Sequence, residues 1–239
     1  MDTFVFKRYE YKYFITKEMF DTIMPLLLER LEKDNYYFTT IQSLYFDSDN
    51  YRLIRRSIEK PVYKEKLRLR CYGLNTDDKP VFFEIKKKYK GVVYKRRIKV
   101  NESIAYEMAK NIDFCNDSQI SKEIGYFLKY YGNLSPKMLI IYDRFSLCDK
   151  KTNLRITFDH NIRYRDKDLN LSTSLDGKKL REDEYFIMEI KSNLTMPFWL
   201  ARLLSDHKIY KSSFSKYKEA YIQKWEEING KNIRIDYKK

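Results

Sequence analysis

The stretch YFIMEIK, Tyr185–Lys191, has the alternation of a β-strand with one apolar and one charged face. Side chains two apart in an extended chain point the same way, so Glu189 and Lys191 share a face and the apolar side chains between them lie opposite. The same Glu-x-Lys pair recurs in RYEYKYF and VFFEIKKKY, as Glu10 with Lys12 and Glu84 with Lys86. A pattern repeated on separate strands predicts that these charges serve a common purpose.

Alternation of this kind runs through the chain. It predicts eight strands, at roughly 4–15, 39–46, 62–72, 80–90, 92–100, 138–147, 154–164 and 184–191. Most of them have one basic and one apolar face; Arg68 and Arg70 oppose Leu67 and Leu69, for example, while Arg96 departs from the pattern. YKG at 89–91 predicts a hairpin turn. An ordinary antiparallel sheet with one solvated face also alternates, but here Lys and Arg dominate the polar faces.

The fold prediction follows from the number of strands. Eight antiparallel strands are about the number that closes into a barrel, and apolar faces turned outward need helices to cover them. We therefore expect an α+β fold, an eight-stranded antiparallel closed β-barrel with helices packed on the outside. The absence of a Ser/Gly-rich linker predicts one domain over 1–239. Periodicity predicts helices at about 17–33, 48–57, 102–112, 118–131, 197–207 and 216–229.

Composition narrows the class of protein. A net charge of +14 favours an anionic partner. Three scattered cysteines without a CxxC pair favour reduced thiols over a zinc cage or disulfides. No signal peptide or apolar run of about 20 residues is evident, so we expect a cytoplasmic protein with no membrane span in this chain. The sequence lacks a GxxxxGK[ST] loop, and its two histidines are isolated, which disfavours a P-loop site and a catalytic triad.

Cations gathered inside a barrel need a ligand. Two like charges about 6 Å apart repel by roughly 3 kcal/mol at an effective dielectric constant near 20. A bound polyanion would relieve this repulsion. Divalent cations prefer oxygen ligands and keep phosphate and water oxygens as well. Glu-x-Lys on a strand would thus place a metal ligand beside a phosphate clamp.

Several stretches carry a resemblance to a known family. In chain order, they are RYEYKYFI, SLYFDSDNY, KLRLRCYG, FFEIKKKYKGVVYKRRI, IYDRFSL, LRITFDHNIR, MEIK and SFSKYKEAY. Together they resemble the VTC-type polyphosphate polymerase domain of the CYTH-like superfamily of triphosphate tunnel metalloenzymes. The resemblance implies an eight-stranded tunnel that binds triphosphate-containing substrates with Mn²⁺ or Mg²⁺. The wider superfamily begins with Glu-x-Glu-x-Lys, whereas this chain has only Glu10 before Lys12, which favours the polymerase branch over a two-metal hydrolase.

The resemblance also implies roles for individual residues. It implies a substrate-binding set of Lys12, Arg68, Arg70, Lys86, Lys95, Arg97, the tunnel tyrosine Tyr142, Arg144, Arg155, Lys191, Ser215 and Lys216. Among these, catalytic roles fall to Lys216, Ser215, Arg68 and Arg70. YKRR allows the register of Lys95 and Arg97 to slide by one. Glu189 is implied as the metal ligand, and the repeated pattern adds Glu10 and Glu84. Independently, Ser215 is typical of a helix N-cap, which places Lys216 at a positive helix end suited to an anion.

Three functions compete at this stage. The first is a metal-dependent phosphotransferase that moves the γ-phosphate of ATP or another NTP onto inorganic polyphosphate or pyrophosphate. The second is a tunnel triphosphatase that hydrolyses tripolyphosphate or a 5′-triphosphate, and the third is a noncatalytic polyphosphate or RNA binder. We expect no nucleic-acid partner, because many aromatic residues fall on apolar faces where they pack a core. A chain without a membrane span could not alone pass a polymer across a membrane, which leaves room for a membrane-protein partner.

Overall fold

The computed structural model describes residues 9–90, 92–111, 118–182, 184–192 and 195–230. These residues form an α+β fold. Its elements are, in order, β1 (Tyr9–Thr16), α1 (Lys17–Leu28), β2 (Glu32–Asp47), α2 (Arg52–Ile58), β3 (Tyr63–Tyr72), β4 (Pro80–Tyr89), β5 (Val92–Asn101), α3 (Glu102–Lys110), α4 (Gln119–Tyr131), β6 (Ser135–Asp149), β7 (Leu154–Arg165), β8 (Lys178–Lys179), β9 (Tyr185–Ser192), α5 (Phe198–Asp206), β10 (Lys211–Ser212) and α6 (Lys216–Asn229).

All strands belong to one antiparallel sheet. Its order is β10-β1-β9-β7-β6-β2-β3-β4-β5, with β8 beside β7. Within the described residues, β5 and β10 form no ladder with each other, so the sheet stays open along a seam between them. The eight predicted strands are present, but the closed barrel is not confirmed.

The sheet curls around its charged face. Lys86 of β4 and Glu10 of β1 form an ion pair although five strands separate β4 from β1 in the sheet. We call this side the concave face; it carries Glu10, Lys12, Arg68, Arg70, Glu84, Lys86, Arg144, Asp159, Glu189 and Lys191. Its curvature brings charges from distant strands together.

The outer face of the sheet is apolar and is covered by helices. Ile23 and Leu27 of α1 and Leu200 of α5 pack against Phe158 and Met188 of the sheet. Helices α3 and α4 cover the remainder in a second cluster, through Ala105, Met108, Ile124, Phe127 and Leu128. Strand alternation explains this division, since residues that flank each inward charge point outward.

Helix α6 departs from the predicted arrangement, because it packs against the concave face. Tyr185 and Ile187 share a face of β9 with Glu189, and they form one buried cluster with Tyr217 and Tyr221 of α6. The hydroxyl of Tyr217 donates a hydrogen bond to Asp47 Oδ2 at 2.9 Å. One end of the concave face is therefore apolar and filled by a helix, and the charges occupy the rest.

Boundaries differ most near the start of the chain. The predicted helix 17–33 ends at Leu28, and β2 already begins at Glu32. Thr16 caps α1 by accepting from the backbone N–H of Met19, and Pro25 lies within the helix without starting it. The two-residue strands β8 and β10 were not predicted. Residues 4–8 of the first predicted strand, Gly91 of the turn, residue 112 and Cys115 lie outside the described residues.

None of the helices in the described ranges is long and apolar enough to cross a membrane.

Candidate functional site

Strand register places the site residues. On β3, Arg68 lies opposite Tyr45 of β2 and Glu84 of β4, and Glu84 in turn lies opposite Arg97 of β5. The curl of the sheet and the start of α6 complete the site. Most of the predicted residues come together on the concave face: Glu10, Lys12, Arg68, Arg70, Glu84, Lys86, Lys95, Tyr142, Arg144, Glu189, Lys191, Ser215 and Lys216.

Glu84 is the centre of one ion cluster and is fully buried. Arg68 Nε donates a hydrogen bond to its Oε2 at 2.9 Å, Arg68 Nη2 lies 2.9 Å from the same oxygen, and Lys95 Nζ lies 2.6 Å from Oε1. Burial alone would raise the pKa of Glu84, but Arg68, Arg70 and Lys95 outweigh it and lower the pKa to about 2. We infer that Glu84 balances cation charge instead of standing open to a metal.

Asp159 of β7 is the centre of a second cluster and is also fully buried. Arg144 donates to both of its carboxylate oxygens, at 2.5 and 2.9 Å, and Lys216 Nζ donates to Oδ2 at 2.5 Å. Burial would raise the pKa of Asp159, but Arg144 and Lys216 hold it well below its usual range. Lys216 Nζ also lies 4.4 Å from the ring centroid of Tyr142. This cluster ties the first residue of α6 to β6 and β7.

Two carboxylates meet between β1 and β9. Glu10 lies opposite Lys191 and Glu189 lies opposite Lys12 in the register of these strands, so the two carboxylates are diagonal neighbours on one face. Lys191 Nζ lies 3.4 Å from Glu189 Oε1, and Lys12 Nζ lies 3.7 Å from Glu10 Oε1. Burial would raise the pKa of Glu189, but the nearby cations Lys191, Lys12 and Lys86 hold it well below its usual range. A cation bound between the two carboxylates would offset the repulsion of their charges.

That pair fits a divalent cation only in part. Across the described ranges, no group of three or more His, Cys, Asp or Glu side chains could hold a metal ion. Glu189 and Glu10 could supply oxygen ligands, and hard cations of this kind complete their coordination with phosphate and water oxygens. The donor set therefore suits a metal that arrives with a phosphate substrate.

Ser215 and Lys66 connect the start of α6 to the sheet. Ser215 accepts a hydrogen bond from the backbone N–H of Lys218, which confirms the predicted N-cap, and its Oγ lies 3.0 Å from Lys66 Nζ. Burial, reinforced by neighbouring cations, lowers the pKa of both Lys66 and Lys86 to about 8. These lysines lack a full complement of anions.

Buried donors on this face also lack partners. Arg70 Nε lies 3.9 Å from Glu84 Oε2 and makes no hydrogen bond, and neither does the hydroxyl of Ser43, which is opposite Arg70 in the sheet. Thr157 lies opposite Glu189 in the sheet, and its Oγ1 is also buried without a hydrogen-bond partner. Unpaired buried donors are costly, and a phosphate oxygen would satisfy them.

Two predicted residues lie apart from these clusters. Arg155 contacts Asp34 and Ser146, and half of its side chain is exposed. Arg97 lies over the ring of Phe82, 4.4 Å from its centroid, and is exposed. Both share the strand face of the site, and the register of β5 gives Lys95 and Arg97 inward positions while Arg96 contacts Glu123 of α4.

Sequence reasoning left three site residues out of the predicted set: Asp159, Lys66 and Tyr45. Strand alternation had placed Asp159 and Lys66 on charged faces, so a signal existed for both. Tyr45 lies between Leu44 and Phe46 and is typical of a core residue by sequence. In the structure, Arg68 Nη1 donates to its hydroxyl at 3.1 Å.

Comparison with known proteins identifies the family. The model of the VTC domain matches residues 7–223. The chain belongs to the VTC domain family. This match confirms the resemblance of the sequence motifs, and it covers every element of this VTC domain from β1 through the first part of α6. A sequence search of curated proteins finds no match.

Comparison with solved structures finds matches at low sequence identity. A proposed adenylate cyclase from Bacillus halodurans superposes with a TM-score of 0.53 at 14% identity, over 86% of this chain and 92% of the other. The PH1819 protein of Pyrococcus horikoshii gives 0.44 at 14% identity, over 90% and 99%. A second proposed adenylate cyclase, from Vibrio parahaemolyticus, gives 0.45 at 10% identity, over 90% and 98%. The first of these, with a TM-score above 0.5, shares the overall fold of this chain.

Proposed function

We propose that this VTC domain is a metal-dependent phosphotransferase that moves the γ-phosphate of ATP or another NTP onto inorganic polyphosphate along its concave face. The observation that carries the proposal is the surplus of partly buried positive charge there. Four carboxylates, Glu10, Glu84, Asp159 and Glu189, face a larger set of lysines and arginines, and Arg70 Nε has no hydrogen-bond partner. A chain of phosphates matches such a surface in charge and in its many acceptor oxygens.

The residues divide the work by position. Arg70, Lys86 and Lys12 would neutralise the phosphate chain, and because they are partly buried their charges are less screened than charges on an open surface. Lys216 and the cap residue Ser215 begin α6, where free backbone N–H groups and the helix dipole favour an anion such as the transferring or terminal phosphate. Phosphoryl transfer depends chiefly on such positioning and charge neutralisation.

A metal would add to this arrangement. Glu189 and Glu10 would hold Mn²⁺ or Mg²⁺, which would neutralise charge on the phosphate oxygens. The protein's own cations would keep the donor and acceptor phosphates aligned, and burial would exclude water from the reacting groups. Exclusion of water is what separates transfer to polyphosphate from hydrolysis.

The test is incubation of the purified chain with ATP and Mn²⁺ or Mg²⁺, with polyphosphate, free phosphate and ADP resolved over time. ADP formed together with long polyphosphate supports the polymerase. ADP with free phosphate alone supports the triphosphatase, and bound but unconverted ATP supports a binder. Addition of short polyphosphate as a primer should raise the rate of a polymerase and leave that of a triphosphatase unchanged or lower.

A further inference from the structure

The side chain of Tyr45 is fixed in the middle of the concave face. Its ring stacks on that of Tyr217 in α6, with centroids 4.4 Å apart and an interplanar angle of 12°. Only 8% of Tyr45 is exposed. Packing of this kind leaves the ring few alternatives, so the hydroxyl stays directed at Arg68 of the neighbouring strand.

The guanidinium of Arg68 is shared between Glu84 and Tyr45. Its Nε donates to Glu84, Nη2 forms an ion pair with the same carboxylate, and Nη1 donates to the Tyr45 hydroxyl at 3.1 Å. A phosphate that reaches Arg68 must compete with one of these two partners. Glu84 is held by Lys95 as well, whereas the Tyr45 hydroxyl accepts its hydrogen bond from Arg68. The phenol is therefore the more readily exchanged partner.

The groups that face Tyr45 are mainly cations. Lys66, Arg68 and Arg70 of β3 and Lys12 of β1 interact with it, and Tyr217 of α6, itself bonded to Asp47, lies against its ring. Burial would raise the pKa of Tyr45, but Arg68, Lys66 and Arg70 outweigh it and lower the pKa to about 7, against about 10 for an ordinary tyrosine. A phenolate at this position would supply negative charge that the carboxylates do not.

We propose that Tyr45 is a positioning residue of this site, which holds the Arg68 guanidinium as a phenolate and takes up a proton when phosphate replaces it at the arginine. The exchange balances simply. A phosphate oxygen accepts the hydrogen bonds of Arg68, the phenolate oxygen leaves it, and an O–H bond forms on Tyr45 with a proton from solvent. The inference rests on the proposed function only in that the incoming anion is a phosphate.

The first test needs no ligand. The near-ultraviolet absorbance of phenolate is followed from pH 5 to 9 in the full chain, in Tyr45→Phe and in Tyr63→Phe. Tyr63 is a matched control, because its hydroxyl donates to Glu65 away from the concave face and its pKa is raised. We expect one tyrosine to ionise near pH 7 in the parent and in Tyr63→Phe, and this step to be lost in Tyr45→Phe. A parent without the step, or a Tyr45→Phe variant that keeps it, would overturn the proposal.

The second test adds tripolyphosphate near neutral pH. The phenolate absorbance should fall on binding in the parent and Tyr63→Phe and stay flat in Tyr45→Phe. Titration calorimetry in two buffers of different ionisation enthalpy should show fewer protons taken up by Tyr45→Phe. Because Lys66 and Lys86 would also take up protons on binding, the measure of Tyr45 is the difference in proton uptake between the parent and Tyr45→Phe. Binding of tripolyphosphate with an unchanged phenolate band would refute the exchange at Arg68. A failure of tripolyphosphate to bind would instead refute the proposed function, and the ionisation of Tyr45 would then be decided by the first test.

Arg68→Gln gives an independent check on the same contact. Loss of the guanidinium should move the phenolate midpoint of Tyr45 toward alkaline pH, while the stacked ring of Tyr217 keeps the tyrosine in place. An unmoved midpoint would mean that Arg68 does not hold the phenolate.

Discussion

Lys86 Nζ on β4 lies 3.7 Å from Glu10 Oε1 on β1, although β9, β7, β6, β2 and β3 separate the two strands in the sheet. No backbone ladder in the described residues joins these strands. Lys12 lies at the same distance from the same oxygen. The contact therefore arises from curvature, and it brings cations from opposite sides of the sheet within reach of one ligand.

Tripolyphosphate should stabilise the protein. A ligand at about 100 times its dissociation constant that binds only the folded state adds about 2.7 kcal/mol to the free energy of unfolding. We expect a corresponding rise in melting temperature, larger than that produced by KCl at the same ionic strength. A melting temperature that saturating tripolyphosphate leaves unmoved would contradict the anion-binding role of the concave face.

Arg70 and Arg68 should behave differently when replaced by alanine. Arg70 has an unpaired Nε, so Arg70→Ala should lower tripolyphosphate affinity about tenfold at a stability cost below about 1 kcal/mol. Arg68→Ala removes a charge-assisted hydrogen bond and an ion-pair contact from buried Glu84 and should cost about 2 kcal/mol or more of unfolding free energy. Arg96→Ala, on the outer face, is the control for affinity.

Chemical denaturation and calorimetry on these three variants decide the matter. If Arg70→Ala unfolds as easily as Arg68→Ala without ligand, Arg70 is a structural ion-pair partner.

Glu189→Gln tests the metal. The substitution keeps the shape and removes a negative charge, so turnover should be nearly abolished and Mn²⁺ binding weakened. Affinity for polyphosphate without metal should stay equal or rise, because an anion has left the site. Glu84→Gln is the matched control, since cations already occupy that carboxylate, and its activity should depend on Mn²⁺ as in the parent. Matching Mn²⁺ curves for the parent and Glu189→Gln would rule out the metal-ligand role.

The free energy of unfolding should decrease as the pH is lowered, and part of that decrease should come from Glu84. Its pKa is about 2 in the folded chain, below the value near 4.3 of an unfolded glutamate. The folded state binds fewer protons there, so this contribution, on the order of 3 kcal/mol, is present above about pH 4.5 and is lost as the pH falls toward 2. We expect the difference in unfolding free energy between the parent and Glu84→Gln to shrink across that range. Parallel curves would mean that the ion cluster does not stabilise the fold.

Much of the sheet could be predicted because burial on one face forces alternation. The strands from Tyr63 to Asn101 match within about one residue. The first part of β2, from Glu32, was not predicted because its side chains are mostly exposed and show no alternation. The stretch LLLERLEKD also has the composition of a helix. The two-residue strands are too short to show any period. Closure and the side on which α6 packs depend on tertiary contacts that a local pattern does not contain.

The site residues likewise divide into those that strand alternation predicts and those that depend on tertiary contacts. Parity along each strand was enough to assign Arg68, Glu84 and Lys86 to one face, because a strand's side chains have only two directions. It could not tell that Glu84 is occupied by arginine and lysine while Glu10 and Glu189 meet each other. Tyr45 was not predicted as a site residue because the sequence pattern of an aromatic residue between apolar neighbours does not distinguish core packing from contact with an arginine.

The seam between β5 and β10 has a mechanical consequence. Where the ends of a sheet are linked by a backbone ladder, separating them breaks a row of hydrogen bonds; here the contacts between distant strands that we describe are side-chain ion pairs such as that of Lys86 with Glu10. An incoming anion can replace such pairs one at a time. A long polymer could then be loaded sideways at any point along its length, with no need to present a free end.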